Sequence, residues 1–265
     1  MKRIFIDPGH GGNDPGATGN GLQEKNITLD IALRMKEYLL QTFDGHEVRL
    51  SRETDKTVSL SQRTTMANNW QADYLVSIHI NAGGGTGFES FIFNGSYSGK
   101  AETHRLRQLV HQSIVNETSF YDRGMKEANF HMLRESQMPA VLTENGFVDH
   151  REDANKLKSS SFLNSIARSH ATGVANALDL PGGGGGTSQG YLEILADSLW
   201  TYNSPDWENR AVIVHKGEVF TVIKDKFPVG DGHMYQIKSG LYITANKNYV
   251  RYYTRSSSKL KSVIS

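Results

Sequence analysis

Cysteine is absent from the 265-residue chain, which excludes disulfide bonds and thiolate ligands for a metal ion. Any zinc site must therefore be built from histidine, aspartate or glutamate. The chain also lacks an apolar run of membrane-spanning length. Only three apolar residues separate Arg3 from Asp7, which is too few for the apolar core of a signal peptide. We therefore expect synthesis in the cytoplasm without a signal peptide and no insertion into a membrane.

Neither sign of charge dominates the composition, with 29 Lys and Arg against 28 Asp and Glu. Hydrophobic residues make up 37% of the chain and charged residues 22%. These values exclude a fibrous, disordered or nucleic-acid-coating protein. We expect a globular protein with no nucleic-acid partner.

One segment has the composition of a flexible linker. Residues 181–190 read PGGGGGTSQG, with five consecutive glycines. We place the domain boundary there, between a first domain over residues 1–180 and a second over residues 191–265. Short apolar strands alternate with helical patterns before the linker, which indicates an α/β domain. Short strands separated by glycine turns follow it and indicate a small all-β barrel.

The apolar spacing predicts individual elements. Ile27, Ile31, Met35 and Leu39 share one face of a helix that begins near Glu24. Further helices are predicted over residues 61–70, 100–118 and 161–178, and a strand over 88–93. In the second domain, strands are predicted over residues 211–215, 219–223 and 234–238. The first domain should be a sheet with helices on both faces.

Three probable strands each end in a charged residue or a histidine. They lead to His10 after Asp7-Pro8-Gly9, to His79 after an apolar run, and to Glu144. Side chains at the carboxyl ends of neighbouring strands in an α/β sheet converge on one crevice. With Glu24 at the head of the first helix, that crevice would hold two imidazoles and two carboxylates.

Each of these residues also has a simpler explanation. His10 fits a solvated loop histidine, and His79 fits a histidine whose hydrogen bonds are satisfied in the core. Glu24 stands just before a helix that Asn26 would cap, where the helix dipole stabilises a carboxylate. Glu144 lies in an apolar segment and needs a metal, a proton or a cation such as the two arginines Arg123 and Arg134.

Taken together, two histidines and one glutamate match the three protein ligands of a catalytic zinc. The second glutamate then has a chemical task. It would take a proton from a zinc-activated water that attacks a carbonyl, and later return the proton to the leaving amine. Amide hydrolysis is the reaction that this set of residues fits best.

At this point the chain resembles the zinc-dependent N-acetylmuramoyl-L-alanine amidases of the amidase-3 family, which includes autolysins, sporulation lysins and phage endolysins. The resemblance covers residues 3 to about 179. It rests on Glu24, Arg52, Asp55, DPGHGG at 7–12, LSQR at 60–63, AN at 67–68, AD at 72–73, SIHIN at 77–81, RG at 123–124 and PAVLTENGF at 139–147.

The resemblance implies zinc bound by His10, Glu24 and His79, with Glu144 as the catalytic glutamate, and it favours ligation over the structural explanation of Glu24. It also implies a twisted, mostly parallel mixed sheet flanked by helices. The implied reaction cleaves the amide between N-acetylmuramic acid and L-alanine and so releases the stem peptide of bacterial peptidoglycan. Additional candidates for substrate contact are Asn81, Asn129 and Arg134.

The second domain contains LWTY at 199–202, KGEVFTV at 216–222 and YQI at 235–237, and with these segments it resembles a bacterial SH3-type module. It carries 10 Lys and Arg against 7 Asp and Glu. A secondary wall polymer is therefore a second possible partner. Aromatic side chains would line its groove, although aromatics in so small a barrel are more often its core. These aromatic residues are Trp200, Tyr202, Trp207, Tyr235, Tyr242 and Tyr249.

Two other functions fit the same residues. A zinc peptidase that cuts within the stem peptide needs the same metal, water and glutamate. A non-catalytic wall-binding protein would use the metal structurally, with Glu144 as a fourth ligand. Without a signal peptide, the protein would reach the wall as a phage endolysin released through a membrane lesion or as a lysin freed when a mother cell breaks open.

Overall fold

The structure is a computed structural model that describes residues 1–182 and 189–255. It divides into two compact units, Met1–Gly185 and Gly186–Ser265. Residues 183–188, in the middle of the predicted linker, lie outside the described residues. No helix in the described ranges combines the length and apolar character needed to cross a membrane.

The first unit is an α/β unit. In chain order its elements are β1 (Lys2–Pro8), β2 (Thr18–Gly19), β3 (Leu22–Gln23), α1 (Glu24–Thr42), β4 (His46–Leu50), α2 (Leu60–Asn69), β5 (Tyr74–Asn81), β6 (Phe88–Phe93), α3 (Lys100–Glu117), β7 (Asp122–Ala128), α4 (His131–Arg134), β8 (Ala140–Phe147), α5 (Arg151–Leu157) and α6 (Ser160–Ala177). The predicted helices and the predicted strand over 88–93 match α1, α2, α3, α6 and β6 to within about one residue. The short elements α4 and α5 and the strands β2, β3, β4 and β7 were not predicted.

Six strands form one sheet in the order β4-β1-β5-β8-β6-β7. All neighbours are parallel except β6 and β8, which are antiparallel. The expected mixed, mostly parallel sheet flanked by helices is therefore confirmed. This order places β5 and β8, which carry His79 and Glu144, side by side at the centre.

Helices cover both faces of the sheet. Ile4 and Ile6 of β1 point into a core with α1, α3 and α6, whereas Phe5 points to the other face, against α2 and α4. The alternation follows from the two-residue period of a strand. On α1, the predicted apolar positions Ile31 and Met35 are fully buried, each worth about 1.5–3 kcal/mol of transfer free energy.

Two predictions about where elements begin or end are wrong. His79 and Glu144 do not end their strands, because β5 continues to Asn81 and β8 to Phe147. The strands extend because each still finds a hydrogen-bonded neighbour at these positions. Asn26 does not cap α1 either, since the N-cap is Gln23 and Glu24 is the first helical residue.

Behind the central strands lies a buried histidine that no motif predicted. His170 of α6 is fully buried. Its Nδ1 lies 2.8 Å from the Ile166 carbonyl oxygen and its Nε2 lies 3.0 Å from Thr143 Oγ1. The neutral ring therefore donates from Nδ1 and accepts at Nε2. Burial lowers the pKa of His170 to about 4, against the opposing effect of the Ile166 carbonyl.

We expect His170 to make the protein less stable in acid. Between about pH 6.5 and pH 4 the unfolded chain binds a proton at His170 that the folded chain does not. The contribution of neutral His170 to the free energy of unfolding is therefore intact above pH 6.5 and falls as the pH falls. The loss reaches about 3 kcal/mol. His170→Asn should flatten the pH dependence of the free energy of unfolding, measured with urea from pH 4.5 to 7.5. The exposed His104→Asn should keep the wild-type slope, and an unchanged slope in His170→Asn would refute the assignment.

The second unit is all β. Its strands are β9 (Gln189–Ile194), β10 (Ser198–Tyr202), β11 (Arg210–His215), β12 (Val219–Val229), β13 (Gly232–Ile237), β14 (Tyr242–Thr244) and β15 (Val250–Arg255). Their order in one antiparallel sheet is β11-β10-β14-β13-β12-β9-β15. The inner face buries a single apolar cluster that consists of Leu192, Ile194, Val214, Val222, Ile237, Ile243 and Val250.

Candidate metal centre

The turn that carries His10 is clamped by buried arginines. Asp7, at the end of β1, is fully buried and accepts hydrogen bonds from Arg63 Nη1 at 2.8 Å and from two serine hydroxyls. Arg63 also donates to the carbonyl oxygens of Pro8 and His10, both at 2.6 Å. Arg52 donates to the carbonyl oxygen of Gly9, which lies between these two residues, at 2.9 Å. The arginines thereby satisfy three successive carbonyls of this turn.

His10 itself adopts a left-handed backbone conformation, with φ of 61°. Its Nδ1 lies 2.8 Å from Asp14 Oδ2 and its Nε2 lies 3.2 Å from Glu24 Oε2. A carboxylate behind a histidine fixes the tautomer and orients the other nitrogen, as is usual for metal ligands. A side chain at Gly9 would overlap the His79 ring, so glycine there allows the two imidazoles to approach.

Glu24 stands between the two histidines. Its Oε1 lies 2.9 Å from His79 Nδ1 and accepts a hydrogen bond from the Ile80 amide, and its Oε2 accepts one from the Ala17 amide at 2.8 Å. These two amides hold the carboxylate in place from both sides. Burial alone would raise the pKa of Glu24, but the two imidazoles outweigh burial and hold the pKa below its usual range.

The donor atoms of His10, Glu24 and His79 lie within 4.8 Å of one another, and the two rings are nearly perpendicular with centroids 5.0 Å apart. Burial lowers the pKa of both histidines, but neighbouring carboxylates, Glu24 foremost, outweigh burial and raise it, for His10 to about 9. The site thus favours positive charge. Two nitrogen donors and one oxygen donor, converging where a cation is favoured, fit a zinc ion.

Glu144 is the fourth residue of the cluster. It pairs with His79 in the register of β5 and β8. Its Oε2 is buried and has no hydrogen-bond partner among the described residues. Burial is the main cause that raises the pKa of Glu144 to about 7; His79 opposes the rise, and the carboxylates of Glu24 and Glu89 add to it. A carboxyl group with this pKa accepts and returns protons near neutral pH.

Neither arginine considered as a counter-ion for Glu144 pairs with it. Arg123 lies 2.8 Å from Glu89. Arg134 instead contacts its neighbour Glu135 and the side-chain oxygen of Asn129, at 2.7 and 2.6 Å. The cationic explanation for Glu144 is therefore excluded within the described residues.

The three weaker substrate candidates occupy different places. Asn81 donates to Glu89 Oε1 at 2.9 Å, whereas Arg134, the exposed last residue of α4, donates to the side chain of Asn129 just before that helix. Motif reasoning missed Glu89 and its second cation, Lys126. The signal for Glu89 was an acidic residue inside the apolar strand FESFIF, where a carboxylate needs a partner.

The aromatic candidates of the second unit are partly exposed. The guanidinium of Arg210 covers the ring of Trp200 at 5.5 Å. Tyr202 meets Trp207 edge-on at 5.5 Å, and Trp207 Nε1 donates to the Val229 carbonyl at 2.9 Å. Trp207 also lines a surface groove together with Lys226, Asp231, Gly232, His233, Thr244, Ala245 and Asn246.

Two family models match the chain. The model described as N-acetylmuramoyl-L-alanine amidase matches residues 4–176, and a model described as a domain of unknown function matches residues 187–250. The first match spans every residue of the metal cluster and Glu144.

Individual proteins are also similar. The N-acetylmuramoyl-L-alanine amidase CwlM of Bacillus licheniformis is 57% identical over 180 residues, which is 68% of this chain and 70% of that protein. The endolysin of Bacillus phage SPP1 is 39% identical over 267 residues, or 94% of this chain and 97% of the endolysin. The crystal structure of an N-acetylmuramoyl-L-alanine amidase from Clostridium difficile 630 superposes with a TM-score of 0.64 and 38% identity, covering 67% of this chain and 97% of the other.

Proposed function

The chain belongs to the N-acetylmuramoyl-L-alanine amidase family and is a cell-wall hydrolase, and from this premise we propose that it works with a zinc ion held by His10, Glu24 and His79. The observation that carries the proposal is the convergence of three ligand atoms of the right types within 4.8 Å. The absence of cysteine leaves no alternative thiolate site. The family predicted from the motifs is confirmed by the matching family model and the similar proteins.

Zinc in such a site supplies a Lewis acid that polarises the amide carbonyl and makes water more acidic. The residues of the chain do the remaining work. Glu24, fixed by the Ala17 and Ile80 amides, and His10, oriented by Asp14, keep the ligand atoms in place before the ion arrives. This preorganisation avoids ordering the ligands at the moment of binding.

Glu144 is the proton carrier in this proposal. Its unpaired, buried Oε2 takes the proton of the attacking water and then hands it to the nitrogen of the leaving L-alanine. A cation beside Glu144 would hold the carboxylate ionised and oppose the first of these transfers. The pairing of Arg123 with Glu89 removes that obstacle.

Mass spectrometry of digested peptidoglycan tests the proposed chemistry. We expect free stem peptides that begin with L-alanine, lost on chelation and restored by zinc. Cuts inside the stem peptide would instead establish a peptidase. Activity that survives complete removal of metal would refute the role of zinc.

We also propose that the second unit is an SH3-like module that binds the wall, including its secondary polymers. Support comes from its antiparallel sheet around one small core, and from the endolysin similar to this chain over nearly the whole length of both. Trp207 is better suited to such a ligand than Trp200, because it lines a groove whereas Arg210 covers the ring of Trp200. Whether as a phage endolysin or as a mother-cell lysin, the protein would meet the wall once cell integrity is lost.

Truncation after Gly185, the last residue of the first unit, tests the targeting role. We expect cleavage of a soluble muropeptide within about twofold of the full chain, but at least about 10-fold weaker sedimentation with cells, since the second binding contact is lost. Residues 186–265 fused to a fluorescent protein should label the same cells. Equal sedimentation of the truncated and full chains would contradict the targeting role.

A further inference from the structure

Two cations converge on one buried carboxylate beside the candidate catalytic centre. Glu89 is only 4% exposed, and its Oε2 contacts both Arg123 Nε, at 2.8 Å, and Lys126 Nζ. Its Oε1 accepts a hydrogen bond from Asn81. In the register of β6 and β8, Glu89 lies directly opposite Glu144. Glu89 and its two cations therefore lie next to Glu144, on the side away from His79.

An irregularity in the sheet brings the two cations together. Phe88 pairs with Asp122 and Ser90 with Met125, so two residues of β7, Arg123 and Gly124, lie opposite Glu89 alone. This is a β-bulge, and Gly124 takes the positive φ of 86° within it. In a regular strand, residues three apart point to opposite faces. The bulge turns both cations to the face of Glu89. Bulges beside active sites commonly redirect side chains in this way.

The side chains of Glu89, Arg123 and Lys126 together carry a net charge of +1. Burial alone would raise the pKa of Glu89, but the two cations lower it, so Glu89 is ionised and neutralises only one of them. The side chains of Arg123 and Lys126 remain 29% and 40% exposed. Among residues 1–182 and 189–255, nothing accepts a hydrogen bond from Arg123 Nη2. The guanidinium also rests on the Phe147 ring, with its carbon 4.9 Å from the ring centroid, which holds the fork in place.

We propose that Arg123 and Lys126, held by Glu89, form a subsite for a carboxylate of the stem peptide. This inference rests on the proposed function, in which Glu144 delivers a proton to the leaving amine. That amine is the N-terminus of the stem peptide, so the stem peptide is the part of the substrate that lies on the Glu144 side of the scissile bond. The planar fork of Arg123 with its remaining N–H donors, next to an ammonium group, matches the charge and shape of a carboxylate.

The spacing of the strands suits this placement. At most two strand separations, about 10 Å, lie between Glu144 on β8 and the two cations, which reach from β7 to Glu89 on β6. An extended peptide covers that distance in about three residues. A carboxylate in the first few residues of the stem peptide would therefore reach the pair while the scissile amide lies at Glu144.

Lys126→Met tests the subsite because it removes one cation, keeps the aliphatic length and leaves the pair of Arg123 with Glu89 intact. Two soluble muropeptides are compared, one with free stem-peptide carboxylates and one in which they are amidated. We expect KM to rise about 10-fold for the free form, with little change in kcat, because a charge-assisted contact is lost. For the amidated form we expect less than a twofold change.

Lys100→Met is the matched control. Lys100 Nζ lies 2.7 Å from Glu127 Oε2, and Glu127, next to Lys126 on β7, points to the opposite face. The control should leave KM unchanged for both substrates. Equal losses on the two substrates in Lys126→Met, or no loss on either, would overturn the subsite.

Binding of the free and amidated stem peptides to the full chain provides a readout that needs no hydrolysis. We expect the wild-type protein to prefer the free peptide and Lys126→Met to lose that preference. If wild-type protein fails to cleave the amide, the proposed function is wrong, while the binding comparison still decides the subsite. Equal affinity of wild-type protein for both peptides would overturn the subsite alone.

Discussion

Glu144→Gln should lower amidase activity by about 10²- to 10⁴-fold, the usual contribution of a positioned general acid or base. The amide of glutamine has the shape of the carboxyl group but neither takes nor returns the proton. Because Glu144 Oε2 has no hydrogen-bond partner among the described residues, the substitution breaks no contact of that atom. We therefore expect wild-type stability and zinc content in an inactive protein.

Activity on purified peptidoglycan, thermal unfolding and bound zinc are measured together on this variant. Glu117→Gln is the control, because Glu117 is exposed and, within the described residues, pairs only with the exposed Arg168; it should behave like the wild type. Loss of zinc from Glu144→Gln would instead make Glu144 a ligand, as in the structural-metal hypothesis. Full activity would remove Glu144 from the mechanism.

Glu24→Gln should weaken zinc binding by more than about 100-fold, beyond the 10- to 100-fold typical of residues that only orient a ligand. Both oxygens of Glu24 accept amide hydrogen bonds, from Ala17 and from Ile80. The glutamine side chain turns an NH₂ group toward one of these donors, so it cannot keep both bonds. Charge and position of the ligand are lost together.

Zinc affinity is measured by competition with a chromophoric chelator, and unfolding is followed in metal-free buffer so that stability and affinity are separated. Asp14→Asn is the graded control, because the hydrogen bonds of the Asp14 side chain with other described residues go to the far nitrogen of His10 and to the Gly16 amide. Its loss of affinity should stay within about 10- to 100-fold. Equal affinities of Glu24→Gln and the wild type would exclude Glu24 as a ligand.

Much of the candidate site could be predicted because its residues lie in short, contiguous motifs. DPGHGG places His10 in a glycine-flanked turn, and an apolar run leads into each of His79 and Glu144. The apolar period of α1 likewise follows from one segment alone. Such features depend on interactions between residues close in the chain, so the sequence by itself determined the α/β class, the candidates His10, His79 and Glu144, and the candidate linker. The local pattern left Glu24 open, and the family resemblance favoured it as a ligand.

Only the tertiary structure decided which charges neighbour which. Arg123 was a possible partner of Glu144, but the pairing of β6 with β7 and the bulge at Gly124 give it to Glu89. The same pairing creates the surplus cation at Lys126, and the packing of α6 behind β8 buries His170. Strand register between distant segments is set by how whole faces fit together. A one-residue shift redirects every side chain, and no local pattern contains that information.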